Sequence, residues 1–569
     1  MTERVIPLIH NTINMVLFER NSWLWMSFFA VLCLACSKSI DGPDEDKDDP
    51  KLPSVTEVTV TSFKSSSRND REMIQKAVDY ASSTRINKVR IPAGGGSGVN
   101  GRYMVDLEGS FLLGGVQLRD HTHLILDEGA VIKATPSTKD YYNILGVNNV
   151  CNVTIEGGTI IGERYEHIGT TGEGGHAIIL VNSCNVTVKN ITLRDCWGDG
   201  MVIRNDAKNS ILDNVICDNN RRQGVSVSSC DGLQVLNSVF KNTNGKNPRS
   251  GIDLEPDYAH NVIRNVRIIN SQFLDNEALG LHIWGKYGEV RDVYVKGCVM
   301  SGSPVGFSMR HEFTSNITVE DVVISGSTDK GVMIGDKAKQ INIDGLKVTT
   351  ADGIGIRVEN AREVEMRNLD VRAHTSVISL NRDTLITIEK AKLKSIVNHA
   401  GNGLYTANCG NLLIDKVEVE GCNYGFNITS NTNITVSNST VVGNKEFGMW
   451  FTNTQRSTFT NNIIRNTSQV GLKFGGSDNT ISNNEFVDNG FLANSTYAQA
   501  LFEGTTQRNT VSGNIFKTST KANKPRYAIH LSSSGTVNNN TGTGNVYEAN
   551  SWITATVKND GGTGNNINP

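Results

Sequence analysis

The chain has 569 residues, a formal net charge of −3 at pH 7, 55 glycines and only 7% aromatic residues. A single hydrophobic core stops growing at about 250–300 residues, so this length requires several domains or an elongated repeat structure. The small net charge argues against a nucleic-acid-binding protein, which normally carries a large basic excess.

The N-terminus is predicted to be an export signal. Residues 23–35 form an apolar run that is shorter than the roughly 20 residues of a membrane span and is typical of a signal peptide. The run ends in Leu34-Ala35-Cys36, which resembles a bacterial lipobox, so residues 1–36 are predicted to be a lipoprotein signal peptide with Cys36 as the lipid attachment site. The alternative is a plain signal peptide with an incidental cysteine.

The acidic stretch 37–54 is predicted to be a flexible tether, because it has almost nothing to bury. Similar tracts follow the lipid cysteine of some surface-exported lipoproteins. We therefore expect the protein to be anchored by lipid at the bacterial outer membrane, on its periplasmic or cell-surface face.

Residues 55–150 are predicted to form an N-terminal cap and the first turns of a repeat structure. Residues 69–83 have the 3.6-residue period of a helix, and residues 88–95 are typical of a strand and a turn. The apolar face of the helix consists of Met73, Ile74, Ala77, Val78 and Ala81.

A repeat of about 22–29 residues occupies residues 151–535. Each unit has a glycine or small residue followed by alternating apolar and variable positions, as in 198–205, 222–229 and 249–256. One unit cannot bury its apolar face alone, but stacked units can. The repeat predicts an all-β fold, a right-handed parallel β-helix of about 15 rungs, with stacked asparagines in its turns and a polar cap or tail at residues 536–569.

The segments DREMIQKAVDYA, KVRIPAG, HLILDEGAVIKA (123–134) and NVTIEGGTIIGE (152–163), in this order, resemble the pectate-lyase-like β-helix superfamily. That superfamily includes polysaccharide hydrolases, lyases, uronan epimerases and phage tailspike depolymerases. The resemblance implies the fold and a glycan substrate. It assigns no catalytic residue, because the Asn-Thr-Asp, Asp-Asp and Gly-His-Gly motifs of polygalacturonases and the Asp-Pro-His motif of mannuronan epimerases are absent.

Polar and aromatic residues gather on one predicted face of the rungs between about 199 and 312. The second and fourth positions after each repeat glycine face outward, because side chains alternate along a strand. Charged side chains on the outside of a solenoid are usually only solvated, but here carboxylates, histidine, tryptophan and arginine coincide on consecutive rungs. The predicted catalytic residues are Asp253, Glu255, Asp199 and His282, and the predicted substrate-binding residues are Arg221, Arg222, Gln223, Trp284, Lys286, Arg310 and His311.

Hydrolysis is the reaction that this face favours. Asp253 and Glu255 are two positions apart on one strand, so their side chains are expected about 7 Å apart. Inverting glycosidases hold their acid and base about 6.5–9.5 Å apart, and a carboxylate neighbour raises the pKa of one member of a pair. Trp284 offers a flat face for a sugar ring, and the basic residues favour an anionic polysaccharide.

Two other functions fit the same residues. The first alternative is a lyase or uronan epimerase, in which Asp253, Glu255 and Asp257 are ligands of Ca²⁺ and Arg310, Lys286 or His282 is the base; a hydrolase needs no cofactor. The second alternative is a face that binds glycan without cleaving it. The expected partner is a polysaccharide or oligosaccharide, with membrane contact only through the lipid; the oligomeric state is left open.

The eight cysteines after residue 36 show no zinc-type spacing, and we expect mostly buried free thiols rather than disulfides. Residues 162–176 are predicted to be a longer loop beside the groove, and no role is assigned to them.

Overall fold

The strands of this protein wind into a single parallel coil. The computed structural model describes residues 56–64, 70–110, 112–494, 496–518, 521–548, 552 and 554–568. In these residues every strand pairing is parallel, and each strand pairs with strands one turn before and after it. The predicted β-helix is therefore confirmed. The signal peptide, Cys36 and the tether predicted for residues 1–54 lie outside the described residues.

A helix at Asp70–Ser83 covers the first turns. Its predicted apolar face is buried at all five positions, Met73, Ile74, Ala77, Val78 and Ala81. The carboxylate of Asp70 fixes the helix to the coil, because it accepts hydrogen bonds from the backbone N–H groups of Ser97 (2.9 Å) and Met104 (2.7 Å). Short 3-10 helices lie at Val60–Phe63 and Val99–Gly101. The helix thus shields the end of the core, as a solenoid requires.

Three stacks of strands form the walls of the coil. The first stack consists of Val116–Gln117, Tyr141–Asn148, Gly174–Val181, Met201–Arg204, Gln223–Val227, Ser250–Leu254, Leu279–Trp284, Val305–Arg310, Lys330–Gly335, Ile354–Glu359, Ser376–Asn381, Asn402–Ala407, Tyr424–Thr429, Phe447–Gln455, Val470–Ser477, Ala498–Gln507, Tyr527–Asn538 and Ala555–Asn559. The second consists of Glu57–Thr59, Lys88–Ile91, His123–Leu126, Cys151–Glu156, Cys184–Arg194, Ala207–Asp218, Cys230–Leu236, Val262–Ile269, Glu289–Lys296, Thr314–Glu320, Lys339–Asp344, Arg362–Ala373, Thr384–Ser395, Gly410–Glu420, Thr432–Ser437, Thr458–Thr460, Thr480–Ser482, Thr510–Ser512, Thr541–Gly542 and Asn566–Ile567.

The third stack is built partly from the far ends of the longer second-stack strands. Its separate strands are Tyr103–Val105, Val131–Ala134, Thr159–Ile161, Val239–Lys241, Gln272–Leu274, Val299–Ser301, Val323–Ser325, Lys347–Thr349, Thr440–Val442, Ile463–Arg465, Glu485–Val487, Ile515–Lys517 and Val546–Tyr547. The coil has about 18 turns rather than about 15, and its strands continue into residues 536–569, which are predicted to be a polar cap or tail.

The repeat glycines are required by the close stacking of the rungs. A Cβ on Gly224 would lie 2.4 Å from the carbonyl oxygen of Gly251, and a Cβ on Gly251 would lie 2.7 Å from that of Gly280. The apolar residues that flank them, such as Ile252 and Leu254, are fully buried in the core. The glycine and the alternation after it are therefore one packing unit.

From residue 151 onward the corner between the second and third stacks has a constant length, whereas the loops at the edges of the first stack vary in length. The inward residues Val235 and Phe240 lie as far apart in sequence as Ile268 and Phe273 in the next rung. By contrast, loops of different lengths lead into and out of the first-stack strands. Insertions thus collect beside the first stack, which carries the candidate site.

Buried asparagines form the predicted ladder in the C-terminal turns. The side-chain oxygen of Asn514 accepts hydrogen bonds from the N–H and the amide of Asn484, both at 3.0 Å. Its own amide donates to Asn545 Oδ1 (3.1 Å) and to the carbonyl oxygen of Ile481 (2.9 Å). Each amide therefore satisfies the turns on both sides of it.

Asn514→Ala is expected to lower the free energy of unfolding by about 3 kcal/mol or more, because each buried polar group left without a partner costs about 1–3 kcal/mol. Chemical denaturation measures the loss. The matched control is Asn342→Ala, which removes an exposed asparagine from the second stack and is expected to change stability by less than about 0.5 kcal/mol. Equal effects of the two substitutions would show that the ladder contributes nothing to stability.

One pair of cysteines departs from the prediction of free thiols. Cys151 and Cys184 form a disulfide, because they stand in register on adjacent rungs of the second stack. The remaining cysteines of the described residues are free and buried, as predicted, at positions Cys196, Cys217, Cys230, Cys298, Cys409 and Cys422.

Candidate active site

The register of the first stack brings several predicted site residues into line. Ser226, Asp253 and His282 occupy successive rungs at one outward position. Asp199 lies in the turn before the strand Met201–Arg204, and the strand Gln223–Val227 of the next rung begins at Gln223. The predicted carboxylates therefore belong to one stack and to neighbouring turns.

These residues are buried rather than exposed on an open strip. Asp199 and Asp253 are 0% exposed, Gln223 is 1% and His282 is 7% exposed. Their neighbours cover them: the amide of Gln223 donates to Asp253 Oδ2 at 2.5 Å, and His282 Nδ1 lies 3.0 Å from Asp253 Oδ1. The expectation of an exposed strip is wrong for this set, because their side chains pack against one another above the sheet.

The carboxyls of Asp253 and Glu255 lie in hydrogen-bonding contact, not about 7 Å apart. Burial, and then the charge and the hydrogen bond of Asp253, raise the pKa of Glu255 to about 7. Backbone spacing sets only the distance between the Cβ atoms, and sharing a proton relieves the repulsion between two neighbouring carboxylates. A hydrogen-bonded pair of carboxyl groups is closer than the roughly 6.5–9.5 Å at which an inverting hydrolase holds its acid and base, so we do not assign these two residues as that pair.

Asp199 is a second carboxyl with a raised pKa. Burial raises the pKa of Asp199 to about 7, against the opposing charge of Arg222. Arg222 Nη1 lies 3.2 Å from Asp199 Oδ2 and 2.9 Å from Gln223 Oε1, and Gln223 in turn contacts Asp253. The other oxygen of Asp199, Oδ1, is buried and has no hydrogen-bond partner among the described residues. Arg222 and Gln223 thus form a chain of contacts between the carboxyl groups of Asp199 and Asp253.

His176 completes this cluster, and the sequence analysis gave it no role. Its Nδ1 accepts a hydrogen bond from the N–H of Asp199 (3.2 Å), and burial lowers its pKa to about 3. The ring is therefore neutral and forms no ion pair with Asp199. His176 occupies the position just before that of the repeat glycine, as Asp199 does one rung later. Ala177 stands where the next rungs have a glycine, such as Gly200 and Gly224, and this substitution hid the repeat.

A cleft of about 200 Å³ opens over this part of the stack. Its wall includes Asp199, His176, Arg222 and, from the loop predicted to flank the groove, Glu173. The N–H of Glu255 donates to the carbonyl oxygen of Val227 at 2.9 Å. Glu255 therefore lies one rung beyond Val227 and Ser228, and Ser228 lines the cleft.

Arg221 does not line the cleft. Its guanidinium carbon lies 3.7 Å from the ring centroid of Trp197, and it donates to the carbonyl oxygens of Gly172 (2.9 Å) and Trp197 (3.1 Å). His167 stacks on the other side of this contact, with its ring centroid 4.0 Å from that of Trp197. The predicted binding role of Arg221 is replaced by a structural one, since it fastens the flanking loop to the coil.

The remaining predicted binding residues lie farther along the stack, past the carboxyls. Lys286, Arg310 and His311 border a separate depression of about 600 Å³. The Trp284 ring lies beside it, 4.0 Å from His311 and 4.9 Å from His282 between ring centroids. Arg310 pairs with Asp336. That ion pair makes Arg310 a poor candidate for the base of an elimination reaction.

The calcium site considered for a lyase is not formed. Asp257 Oδ2 lies 3.9 Å from Arg204 Nη2, whereas Glu255 contacts Asp253. Over the described ranges, no three side chains of His, Cys, Asp or Glu converge in a way that would hold a metal ion.

A family model described as "Right handed beta helix region" matches residues 114–291 and 375–546, which together exceed half of the chain. The chain belongs to the right-handed β-helix family. A second model, "Periplasmic copper-binding protein (NosD)", matches only residues 237–369. The described residues do not fit a copper site, because they contain no metal-binding cluster. Among the residues described, no helix has the length and apolar character needed to cross a membrane.

The chain is similar to several known proteins at low sequence identity. The Bacillus subtilis (strain 168) uncharacterized protein YclG is 23% identical over 508 residues, which cover 74% of this chain and 85% of that protein. The Azotobacter vinelandii mannuronan C-5 epimerase AlgE6 A-module is 14% identical, with a TM-score of 0.33, and the match covers 90% of this chain and 99% of that one. The Yersinia enterocolitica family 28 exopolygalacturonase is 12% identical, with a TM-score of 0.43 and coverage of 67% and 78%.

Proposed function

We propose that this β-helix protein is an extracytoplasmic glycoside hydrolase that cleaves a polysaccharide along its first stack. The observation that carries the proposal is a pair of carboxyl groups, the partly exposed Glu255 and the buried Asp199, whose pKa values are both raised to about 7. Arg222 and Gln223 link Asp199 to Asp253, the neighbour of Glu255. Glycoside hydrolysis needs one protonated and one ionised carboxyl at neutral pH.

Glu255 is assigned as the general acid. It is partly exposed, unlike Asp253, and the neighbouring Asp253 carboxylate keeps a proton on it up to about pH 7. It donates that proton to the glycosidic oxygen as the bond to the anomeric carbon breaks. Asp253 is a positioning residue, held by Gln223 and His282.

Asp199 is assigned as the general base. Asp199 forms part of the wall of the cleft, and Arg222 stabilises its ionised form. Asp199 takes a proton from water as the water oxygen bonds to the anomeric carbon. One water is consumed and both carboxyls exchange their protonation states, so a proton transfer through solvent restores the enzyme. The neutral His176 fixes the backbone of Asp199.

Export is part of the proposal. The disulfide between Cys151 and Cys184 is typical of proteins in oxidising compartments, and the sequence of residues 1–36 resembles a lipoprotein signal. Incorporation of labelled palmitate that disappears in Cys36→Ser is the expected result. A protein that takes up no label in either form would contradict the lipid anchor.

A panel of polysaccharides with product analysis by mass tests the reaction. The expected products carry the mass of one added water per bond cut and show no new ultraviolet absorbance. Products with an unsaturated uronate would show elimination and overturn the proposal. Binding without any product would show that the protein binds glycan without cleaving it, and would also overturn the proposal.

A further inference from the structure

A cluster of aromatic side chains lies on the outer face of the first stack, several rungs away from the carboxyl groups of Asp253 and Glu255. Tyr424, Phe447 and Trp450 are partly exposed on two adjacent rungs. Their ring centroids lie 5.3–5.6 Å apart in every pairing. We call these three residues the aromatic platform. The sequence assigns these three residues no role, because the polar and aromatic face that it predicts spans only about 199–312.

Polar side chains fix the platform from both sides. Lys473 Nζ lies 4.9 Å from the Phe447 ring and 5.3 Å from the Trp450 ring, and it pairs with Glu503 at 2.9 Å. The hydroxyl of Tyr424 donates to Glu446 at 2.9 Å. The rings are therefore held in place before any ligand arrives, and Glu503 already neutralises the charge of Lys473.

We propose that the aromatic platform is a second glycan-binding site, which takes the apolar faces of sugar rings. Flat, fixed aromatic faces bordered by carboxylate, amide and ammonium groups suit a ligand that is apolar on its ring faces and rich in hydroxyls at its edges. Since Glu503 neutralises Lys473, ring stacking carries the binding and charge does not.

The platform lies in line with Asp253, the residue that positions the proposed general acid. The register runs through Asp253, His282, Ser308, Met333, Arg357, Ser379, Tyr405, Asn427 and Trp450 at one outward position. At roughly 4.8 Å per rung, Trp450 is about 38 Å from Asp253 along the coil. An extended glycan chain therefore reaches both sites on one face. The identity of the ligand class rests on the proposed function.

Affinity electrophoresis tests the site with polygalacturonate, alginate, hyaluronan, xylan and starch as probes. The measurements use the Glu255→Gln background, so that no probe is cut. We expect retention by at least one polymer, a loss of about fivefold to tenfold in affinity on Trp450→Ala, and partial recovery in Trp450→Phe. Retention should persist at high salt, because screening weakens ionic contacts and not stacking.

Tyr80→Ala is the matched control, since Tyr80 is an exposed aromatic residue on the N-terminal helix, and it is expected to bind like the parent. Retention by none of the probes, or equal retention of the Trp450→Ala and Tyr80→Ala variants, would overturn the proposal. A dimer in sedimentation that Trp450→Ala dissolves would show that a second copy covers the platform, and would also overturn it. Retention that depends on Trp450, in a wild-type protein that cuts none of the probes, would uphold the platform and reject the hydrolase.

Discussion

Glu255→Gln is expected to slow cleavage by about 10²–10⁴-fold, the usual contribution of a general acid, and to leave the coil folded. The pKa of Glu255 is raised to about 7, so the wild-type rate should fall as pH rises through 7 and the acid loses its proton. Glutamine keeps the shape and cannot donate that proton. The measurement is kcat/KM on a cleaved polymer across pH 5–9, where the variant should lose the alkaline fall.

Asp383→Asn is the matched control for this experiment. Asp383 is also a buried carboxyl, 2% exposed, whose pKa burial raises to about 7, but its oxygens accept from the N–H groups of Ala361 (2.8 Å) and Asn381 (2.7 Å). It serves a turn and lies away from the cleft, so cleavage should persist at the wild-type rate. Full activity in Glu255→Gln, or an equal loss in both variants, would contradict the role of Glu255.

Arg222→Met is expected to destabilise the protein most strongly in alkaline solution. The pKa of Asp199 is about 7 because burial outweighs the pull of Arg222, and removing the guanidinium raises it further. Below pH 7 Asp199 is protonated in both proteins, so its titration lowers the free energy of unfolding of the variant only slightly relative to the wild type. Above pH 7 only the wild type ionises favourably. The loss should therefore grow by about 1.4 kcal/mol per pH unit toward about 3–5 kcal/mol.

Two further variants isolate this effect. Asp199→Asn combined with Arg222→Met removes the buried acid and should abolish the pH dependence of the loss. Arg204→Met removes another cleft arginine, whose partner Asp257 is 3.9 Å away and whose side chain is 29% exposed, and should cost less than about 1 kcal/mol. Denaturant midpoints at pH 6 and 8.5 measure all three. A loss in Arg222→Met that is the same at both pH values would refute the coupling to Asp199.

The fold follows from the sequence because its determinants are local and repeated. The glycine of each rung, the alternation after it and the turn asparagines recur often enough to predict parallel stacking. The number of turns was underestimated where the pattern weakens, at the short strand Val116–Gln117 and in the rungs after residue 535. The disulfide between Cys151 and Cys184 depends on register across a rung, which composition and spacing motifs do not reveal.

The site was only partly predictable, because its geometry depends on how side chains from different rungs pack together. Alternation along a strand correctly indicates which side chains leave the core, but not how those side chains pack afterwards. Arg221 and Arg222 are neighbours in sequence, yet one packs on Trp197 and the other contacts Asp199. His176 escaped notice because an alanine replaces the glycine that marks its rung.

One corner of the coil fixes the stacking of the rungs, whereas the loops beside the first stack can vary in length. From residue 151 onward the corner between the second and third stacks keeps the same length from rung to rung, as Val235–Phe240 and Ile268–Phe273 illustrate. Residues added at the margins of the first stack lengthen only the rims around the cleft and leave the pitch of the rungs unchanged. A descendant of this protein can therefore acquire new rims, and with them a new ligand, without rebuilding its scaffold.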